Sequence, residues 1–534
     1  MTLDIPGRRG CTYPQGCAAA AIPPRPRCLM HASASDWSYA LNGIALGLVT
    51  DFSGVTFSQA MFEAVRGVAG SALQFVRFED AVFTGEADFS GFEFHGVTSF
   101  DGARFEGGAD FSSVRFHGRT SFAEAWFAEG CTFDGSAFFH DGSAYASQPP
   151  VPGTPSVDFT RITCRGLASF DGIWTARDWV LTRARFEDGL IGAARCEGDV
   201  LLNETTLDRT VRLTLDTRKL DLRGAICTAP LVLRLRNAVV HLADAVLGAK
   251  LTLIHERDPL ALPPVVPVQS PAGEAPKLAG LRHVDASQLM LVDVDLRKCR
   301  FNEAHNLDLI FCAGCSFAWP PRQRRVLGVI SIRPVRRPVL ADESAPDGPG
   351  PSTLALLYRQ LRKGLEDGKN ESGAAGFYYG EMEMRRHPEA EDTTATERWL
   401  LHTYWLLSGY GVRATRALGW LLAAVLATIT LIMAVGLPDA DPVQTVMGNV
   451  PTASGRVVLT VKTPAPELTL PLHRRFTDER ANAALKVVLN SVVFRSSDQN
   501  LTTWGTYIEM TSRFAEPVLL ALAGLAVYGR IRRN

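Results

Sequence analysis

Cys11, Cys17, Cys28 and His31 are the residues of this chain whose types and spacing are best suited to chemistry, in the pattern C-x5-C-x10-C-x2-H. Zinc takes four tetrahedral nitrogen and sulfur ligands, and this set supplies four. Three of the ten cysteines and a histidine fall within 21 residues, among Gly10, Gly16 and several prolines. So small a segment has no core of its own, and bound metal would have to fold it. Four protein ligands leave no open coordination position, so the expected zinc is structural. The alternative is free thiols in an unstructured tail. Met1 to Gly10 has no apolar run of the secretory type, which places the cysteines in a reducing compartment where scattered disulfides are not expected. Cys312 and Cys315 make a second C-x2-C with Cys299 nearby. A metal or redox role is open to them, but Cys312 falls on an inward position of the repeat described next, and burial is the better reading.

Other reactive groupings are few. Glu381 and Glu383 invite an acid/base reading, yet a spacing of two puts them on different helix faces, and solvated ion pairing is expected. There is no G-x-G-x-x-G after a strand, no P-loop, no G-x-S-x-G and no H-E-x-x-H. No catalytic residue is assigned, and an oxidoreductase is a distant third among the functional readings. A net charge of −1 on 534 residues gives no basic excess for nucleic acid.

The elements that must position these groups follow from phenylalanine. From Phe78 to Phe138 it recurs at alternating spacings of five and six: 78, 83, 89, 94, 100, 105, 111, 116, 122, 127, 133, 138. Neither 3.6 residues per turn nor a period of two puts these on one face, so a stacked repeat is indicated. Two residues before each Phe stands a mostly small one, such as Ala81, Ala87, Ala103, Ala109, Thr120, Ala125, Cys131 and Ser136. This resembles the pentapeptide-repeat family. The resemblance implies a mainly β fold, a right-handed quadrilateral β-solenoid in which each unit is one side of a square coil. The extra sixth residues imply coils of about 22 residues, bulged at two corners. A weaker version at Phe52, Phe57 and Phe62 precedes the block. After a loop around Gln148 to Pro155 it resumes with leucine in place of phenylalanine, and the five/six spacing is read as persisting through Leu253. The C-x5-C-x10-C-x2-H segment is similar to short zinc-binding heads placed before bacterial pentapeptide repeats.

The remaining chain is different. Gln323 to Gly350 reads as a linker. Helices are predicted over Leu354 to Asp367, capped by Ser352-Thr353, over Ala374 to Arg386, and over Glu397 to Ser408. Ala417 to Gly436 is twenty residues without a charge, enough to span a bilayer. Phe514 to Gly529 is a second span, with Glu516 and Arg513 expected near its outer interface. Arg413 and Arg416 before the first span, and Arg530, Arg532 and Arg533 after the second, put both termini in the cytoplasm. The domains expected are thus a zinc head at 1–35, solenoid at 45–255, a Pro-rich loop at 256–282, last coils at 283–320, a linker at 321–351, helices at 352–412, and a two-span region at 413–534. Its spans are 417–436 and 514–530, with an external segment at 437–513. In that segment Arg456 to Val461 and Glu467 to Leu470 read as strands. Asp478 to Phe494 reads as an amphipathic helix, with Ala484, Val487, Val488 and Ser491 on one side, suited to lying on the membrane.

The span, short helix, span layout resembles a degenerate two-helix pore-loop channel, with Thr502-Thr503-Trp504-Gly505-Thr506 faintly like a filter but lacking Gly-Tyr-Gly. The tail motifs YYGEMEMRR, YWLLSGYG and LTTWGTYIEM resemble membrane-bound pentapeptide-repeat proteins of actinobacteria. The leading expectation is a plasma-membrane, multi-pass, non-catalytic scaffold. Its partners would be the lipid bilayer and an unidentified cytoplasmic protein. A channel-like or sensory homo-oligomer is the alternative. DNA mimicry would need an acidic rod, whereas this solenoid is rich in arginine after residue 160.

Overall fold

The computed structural model describes residues 10–13, 16–139, 156–260, 273–319, 325–327, 330–332, 337–439, 445–449, 458–462, 468, 470–493 and 501–532. It comprises two compact units, Met1–Glu381 and Met382–Asn534. The expected loop around Gln148 to Pro155 and residues 261–272 of the Pro-rich loop lie outside the described residues.

The first unit is a parallel β-solenoid. Short strands stack face on face, one face running nine strands deep from Thr56–Phe57 to Val246–Leu247. Phe83 pairs with Phe105 and Phe105 with Phe127, so each coil in the phenylalanine block takes 22 residues. Ladder hydrogen bonds hold parallel strands about 4.8 Å apart, and the inward rings inherit that spacing. Phe89, Phe111 and Phe133 stack at 5.0 and 4.8 Å. Phe78, Phe100 and Phe122 stack at 4.9 and 4.8 Å, Phe83, Phe105 and Phe127 at 4.8 Å each, and Phe94, Phe116 and Phe138 at 5.1 and 4.7 Å. Four columns therefore fill the coil, meeting edge to face across it, as at Phe111 and Phe122, 5.2 Å apart. The small residues before them, among them Ala81, Ala103, Thr120 and Ala125, are fully buried. Only a small side chain fits there beside the rings.

The leucine block corrects the sequence reading. The five/six spacing does not persist. Leu190 pairs with Val211, 21 residues on, while Leu213 pairs with Leu233 and Leu233 with Leu253, 20 residues on. The coil shortens because one face is now made of six-residue strands, Val211–Asp216 and Leu231–Arg236, with Val211, Leu213 and Leu215 all buried. One corner column stays left-handed throughout, at Asp80, Gly102, Glu124, Arg161, Arg183, Glu204 and Asp244. Its exposed side chains pair along the axis, Arg161 with Glu124 at 2.9 Å and Arg183 with Glu204 at 2.7 Å.

Both ends of the coil are covered, as an open sheet edge requires. At the start, α1 (Ala34–Ala45) and α2 (Gln59–Ala69) are capped by Ser33 and Ser58, whose hydroxyls accept from Asp36 N and Met61 N. Neither helix is predicted by the repeat pattern. Phe62, read as a coil position, lies in α2, where its ring packs edge-on against Phe83 and Phe89 at 5.5 and 5.0 Å. At the far end, part of the expected linker is a cap. Asp342, 2 % exposed, accepts from Phe301 N at 2.9 Å and Asn302 N at 3.1 Å. Tyr358 of α3 (Pro351–Asp367) accepts from Arg337 at 2.6 Å and donates to Glu343 at 2.7 Å. The cap of α3 is Gly350 with Pro351 at the first position, not Ser352-Thr353. Lys277–Leu278, expected within the Pro-rich loop, is a coil strand paired with Val239–Val240. Asp342→Ala is expected to lower unfolding free energy by about 1–3 kcal/mol, because two amide donors lose their acceptor in a buried site. Denaturant unfolding of wild type and variant checks this.

α4 (Glu371–Arg386) crosses the boundary between the units. The second unit continues with α5 (Ala395–Ser408), α6 (Ala414–Leu431), α7 (Asp478–Val493) and α8 (Thr503–Arg532). α6 ends in a wider turn, Ile432–Gly436. Two stretches, Ala414–Gly436 and Thr503–Tyr528, are long and apolar enough to cross a membrane. The second begins eleven residues before the predicted span and runs through Pro517 as one helix. The filter-like residues Thr503 to Thr506 are its first turn, so their carbonyls are spent within the helix. The carbonyls freed at the end of α6 are met by cations and a hydroxyl, as a helix C-terminus favours. Arg475 donates to Ala434 O at 2.7 Å, Arg480 to Leu437 O at 2.7 Å, and Thr502 Oγ1 to Val435 O at 2.5 Å. Ala484, Val487 and Val488 of α7 pack on Ile432, Met433 and Leu437, so that face lies on the end of α6. Val458–Lys462 is a strand as expected and pairs with Thr445–Asn449, while Glu467 and Thr469 of the other expected strand lie outside the described residues. Gly436 and Gly505 touch backbone to backbone: a Cβ on Gly505 would lie 2.5 Å from Gly436 O. Gly505→Ala is expected to cost about 1–3 kcal/mol, read as a lowered Tm in detergent.

Candidate metal centre

The head of the first unit brings its four predicted ligands together. Cys11 Sγ, Cys17 Sγ, Cys28 Sγ and a ring nitrogen of His31 all lie within 4.8 Å of one another. Cys17 and Cys28 sulfurs are 3.8 Å apart, Cys11 Sγ and His31 Nδ1 3.6 Å, and Cys28 Sγ and His31 Nδ1 3.2 Å. Tetrahedral zinc bonds of about 2.3 Å to sulfur and 2.0 Å to nitrogen set neighbouring ligand atoms about 3.5–3.8 Å apart. The donor set and the spacing both fit that ion.

Local structure explains the convergence. Gly10 and Ala20 form an antiparallel bridge that folds the segment back on itself. A single helical turn, Leu29–His31, carries His31 back toward Cys28. Cys28 N donates to Cys11 Sγ at 3.3 Å, a bond that supports a thiolate. The Tyr13 ring stacks on His31 at 4.0 Å and 2°, fixing the imidazole plane. Tyr13 is a positioning residue the spacing argument missed, although an aromatic two residues from a ligand was there to see. At Cys11 burial pushes the thiol up, but the Cys28 and Tyr13 backbone groups and the His31 ring outweigh it and hold it down at about 6. At Cys28 burial dominates and pushes it up to about 12. Ala19, Ala20 and Ile22 are buried against the first coil, and Ala20 N donates to Ser53 O at 2.8 Å. The head is thus part of the solenoid's end cap.

A second cluster, Glu93, His95 and His117, lies on an outer face. The imidazoles stack at 4.6 Å with planes 8° apart, and Arg115 holds Glu93 at 2.8 Å. Lone pairs in two near-parallel ring planes do not converge on one ion, so this set fits a metal poorly. Cys299 and Cys312 are buried, Cys312 at the inward register opposite Leu291, as expected from the repeat. Glu381 corrects the expectation of solvated pairing. It is 5 % exposed, with Arg362 Nη1 3.7 Å from its carboxylate, because its helix face is turned into the unit. Glu383 pairs with Arg386 at 2.8 Å.

Residues 78–126 and 100–143 match the family model described as pentapeptide repeats (9 copies). No curated protein and no solved structure matches. With the parallel coil and its filled columns, that match shows that this chain carries a pentapeptide-repeat solenoid.

Proposed function

We propose that the protein is a membrane-anchored, non-catalytic scaffold. In this reading α6 and α8 cross the plasma membrane, both termini are cytoplasmic, and the solenoid offers its ion-paired outer faces to a cytoplasmic protein. The observation that carries it is the filled coil: its interior is occupied by stacked rings and leucines, so recognition falls to the outside. Cys11, Cys17, Cys28 and His31 would hold zinc, which here supplies only cross-linking of the head. Arg413, Arg416 and Arg530 on one side, against Asp439 and Asp441 on the other, support the orientation. An oligomeric, channel-like or sensory protein is the second reading, favoured by the packing of α7 on the end of α6 beside Leu501 and Ile508.

The test is an alkaline wash of membranes followed by protease treatment of oriented vesicles. The scaffold reading expects the full chain to stay with the membrane. It expects the 437–513 segment to be cut from outside and the solenoid only in inverted vesicles. Release by the wash, or solenoid cleavage from outside, would overturn the topology. The mass in detergent separates the two functional readings, because two spans per chain cannot enclose a pore without several copies.

A further inference from the structure

Glu516 is fully buried in α8, and it lies at the middle of the apolar stretch Thr503–Tyr528 rather than at its outer end. Its partner comes from the other helix: Thr428 Oγ1 donates to Glu516 Oε1 at 2.9 Å. Thr428 is three residues past the centre of Ala414–Gly436, about 4.5 Å along the axis at 1.5 Å per residue. Arg513, expected with it near the outer interface, is engaged with Glu509 one turn back at 2.7 Å. Glu516 Oε2 is buried and makes no hydrogen bond among the described residues.

We propose that Glu516, with Thr428 as its hydroxyl partner, is a proton-binding site inside the membrane-crossing helix pair. The proposal rests on the reading that α6 and α8 span a bilayer. An ionisable side chain at that depth is costly and is kept where it serves a path or a switch. The Thr428 hydroxyl has two acceptors in reach, Glu516 Oε1 and Ala424 O, both at 2.9 Å. With the carboxylate ionised, the hydroxyl donates to Glu516. With the carboxyl protonated, its O–H donates to Thr428 Oγ1 and the hydroxyl turns to Ala424 O. Every donor is satisfied in both states, so one proton can come and go without disrupting the pair. A metal cation would need about six oxygen ligands, and among the described residues the site offers one carboxylate, one hydroxyl and the Ala424 carbonyl.

No other titratable residue of α6 lies between Arg416 and Gly436. Charged groups of neighbouring elements are engaged elsewhere or exposed. Arg416 donates to Trp405 O, Arg480 of α7 pairs with Asp439, and Arg398 of α5 donates to Ala390 O. His402 is exposed and turned onto Arg398 O, and Lys486 is exposed. Protonation at Glu516 is thus governed by the carboxyl, its hydroxyl partner and the access of water.

The experiment uses the full chain in lipid vesicles and dicyclohexylcarbodiimide, which partitions into the bilayer. The carboxyl proton passes to a carbodiimide nitrogen while the carboxylate oxygen bonds the central carbon. Acyl transfer from oxygen to nitrogen then gives a stable N-acylurea, with no atom lost and no redox change. Mass spectrometry should find the adduct on Glu516, with a rate that falls about tenfold per pH unit on the alkaline limb, as for one proton. Glu516→Gln should remove that adduct, and Thr428→Val should displace the pH profile. Labelling that is independent of pH, labelling blocked by sodium ions, or equal labelling by a water-soluble carbodiimide would each overturn the proposal. An alkaline wash of the same vesicles shows separately whether the chain is inserted, so failure of the span reading is told apart from failure of the proton site.

Discussion

Replacing Phe111 by alanine is expected to lower the unfolding free energy by about 3–5 kcal/mol, the range for an aromatic ring removed from a packed core. Phe111 is fully buried. Its ring stacks between Phe89 and Phe133 at 5.0 and 4.8 Å and meets Phe100, Phe105 and Phe122 edge-on at 5.4, 5.8 and 5.2 Å. The strand ladder fixes the backbone on both sides, so the walls cannot collapse into the vacancy, and the full cavity cost is felt. A solenoid coil is held by its neighbours alone, which spreads the loss over adjacent coils. Phe139→Ala is the control. Phe139 stacks on His117 at 5.1 Å from the outside of the coil and is only partly buried, so its loss should be about 1 kcal/mol or less. Denaturant midpoints of the two variants measure the difference. Equal effects would mean that the columns contribute no more than the surface.

The second large effect is expected at Cys28. Zinc in small Cys/His sites contributes an apparent 10–16 kcal/mol, roughly, to folding of the segment it cross-links. Cys28 is fully buried and touches each of the other three ligands through its sulfur or its amide. Cys28→Ser should therefore abolish bound zinc, measured by elemental analysis, and unfold the head. Because Ala20 N is bonded to Ser53 O, the loss should reach the first coil. Hydrogen exchange at Ala20 should rise, while Phe111 N, bonded to Thr132 O deep in the coil, stays protected. Wild-type protein without zinc, with Cys11, Cys17 and Cys28 freely alkylated, would refute the metal centre. Tyr13→Ala gives a graded test: the ligands remain, and only the ring that holds His31 in plane is lost.

Much of the coil was legible because its cause is local. Large residues at five and six, each preceded by a small one, leave one way to bury every ring, and the 22-residue coil follows from adding the spacings. The leucine block was misread for a physical reason. In Val211–Asp216 a six-residue strand buries Val211, Leu213 and Leu215, so a period of two overlies the period of five. Phe62 was misread because it continues the count from Phe57. The signal against it, Ser58 followed by a helix-forming run, was present in the chain. That Cys11, Cys17, Cys28 and His31 converge was legible from type and spacing, since four soft donors within one short loop can meet at a point.

The sequence by itself determined the repeat, the inward residues, the two apolar stretches and the candidate ligand set, because each depends on neighbours a few residues away or on composition. Tertiary structure alone decided what lies far apart in the chain. Asp342 reaches back 41 residues to cap Phe301, and Glu516 meets Thr428 across 88 residues. Glu381 is buried because the face of α4 that carries it is turned inward. Burial of a charged group depends on which surface packs over it, and no periodicity in the chain records that choice.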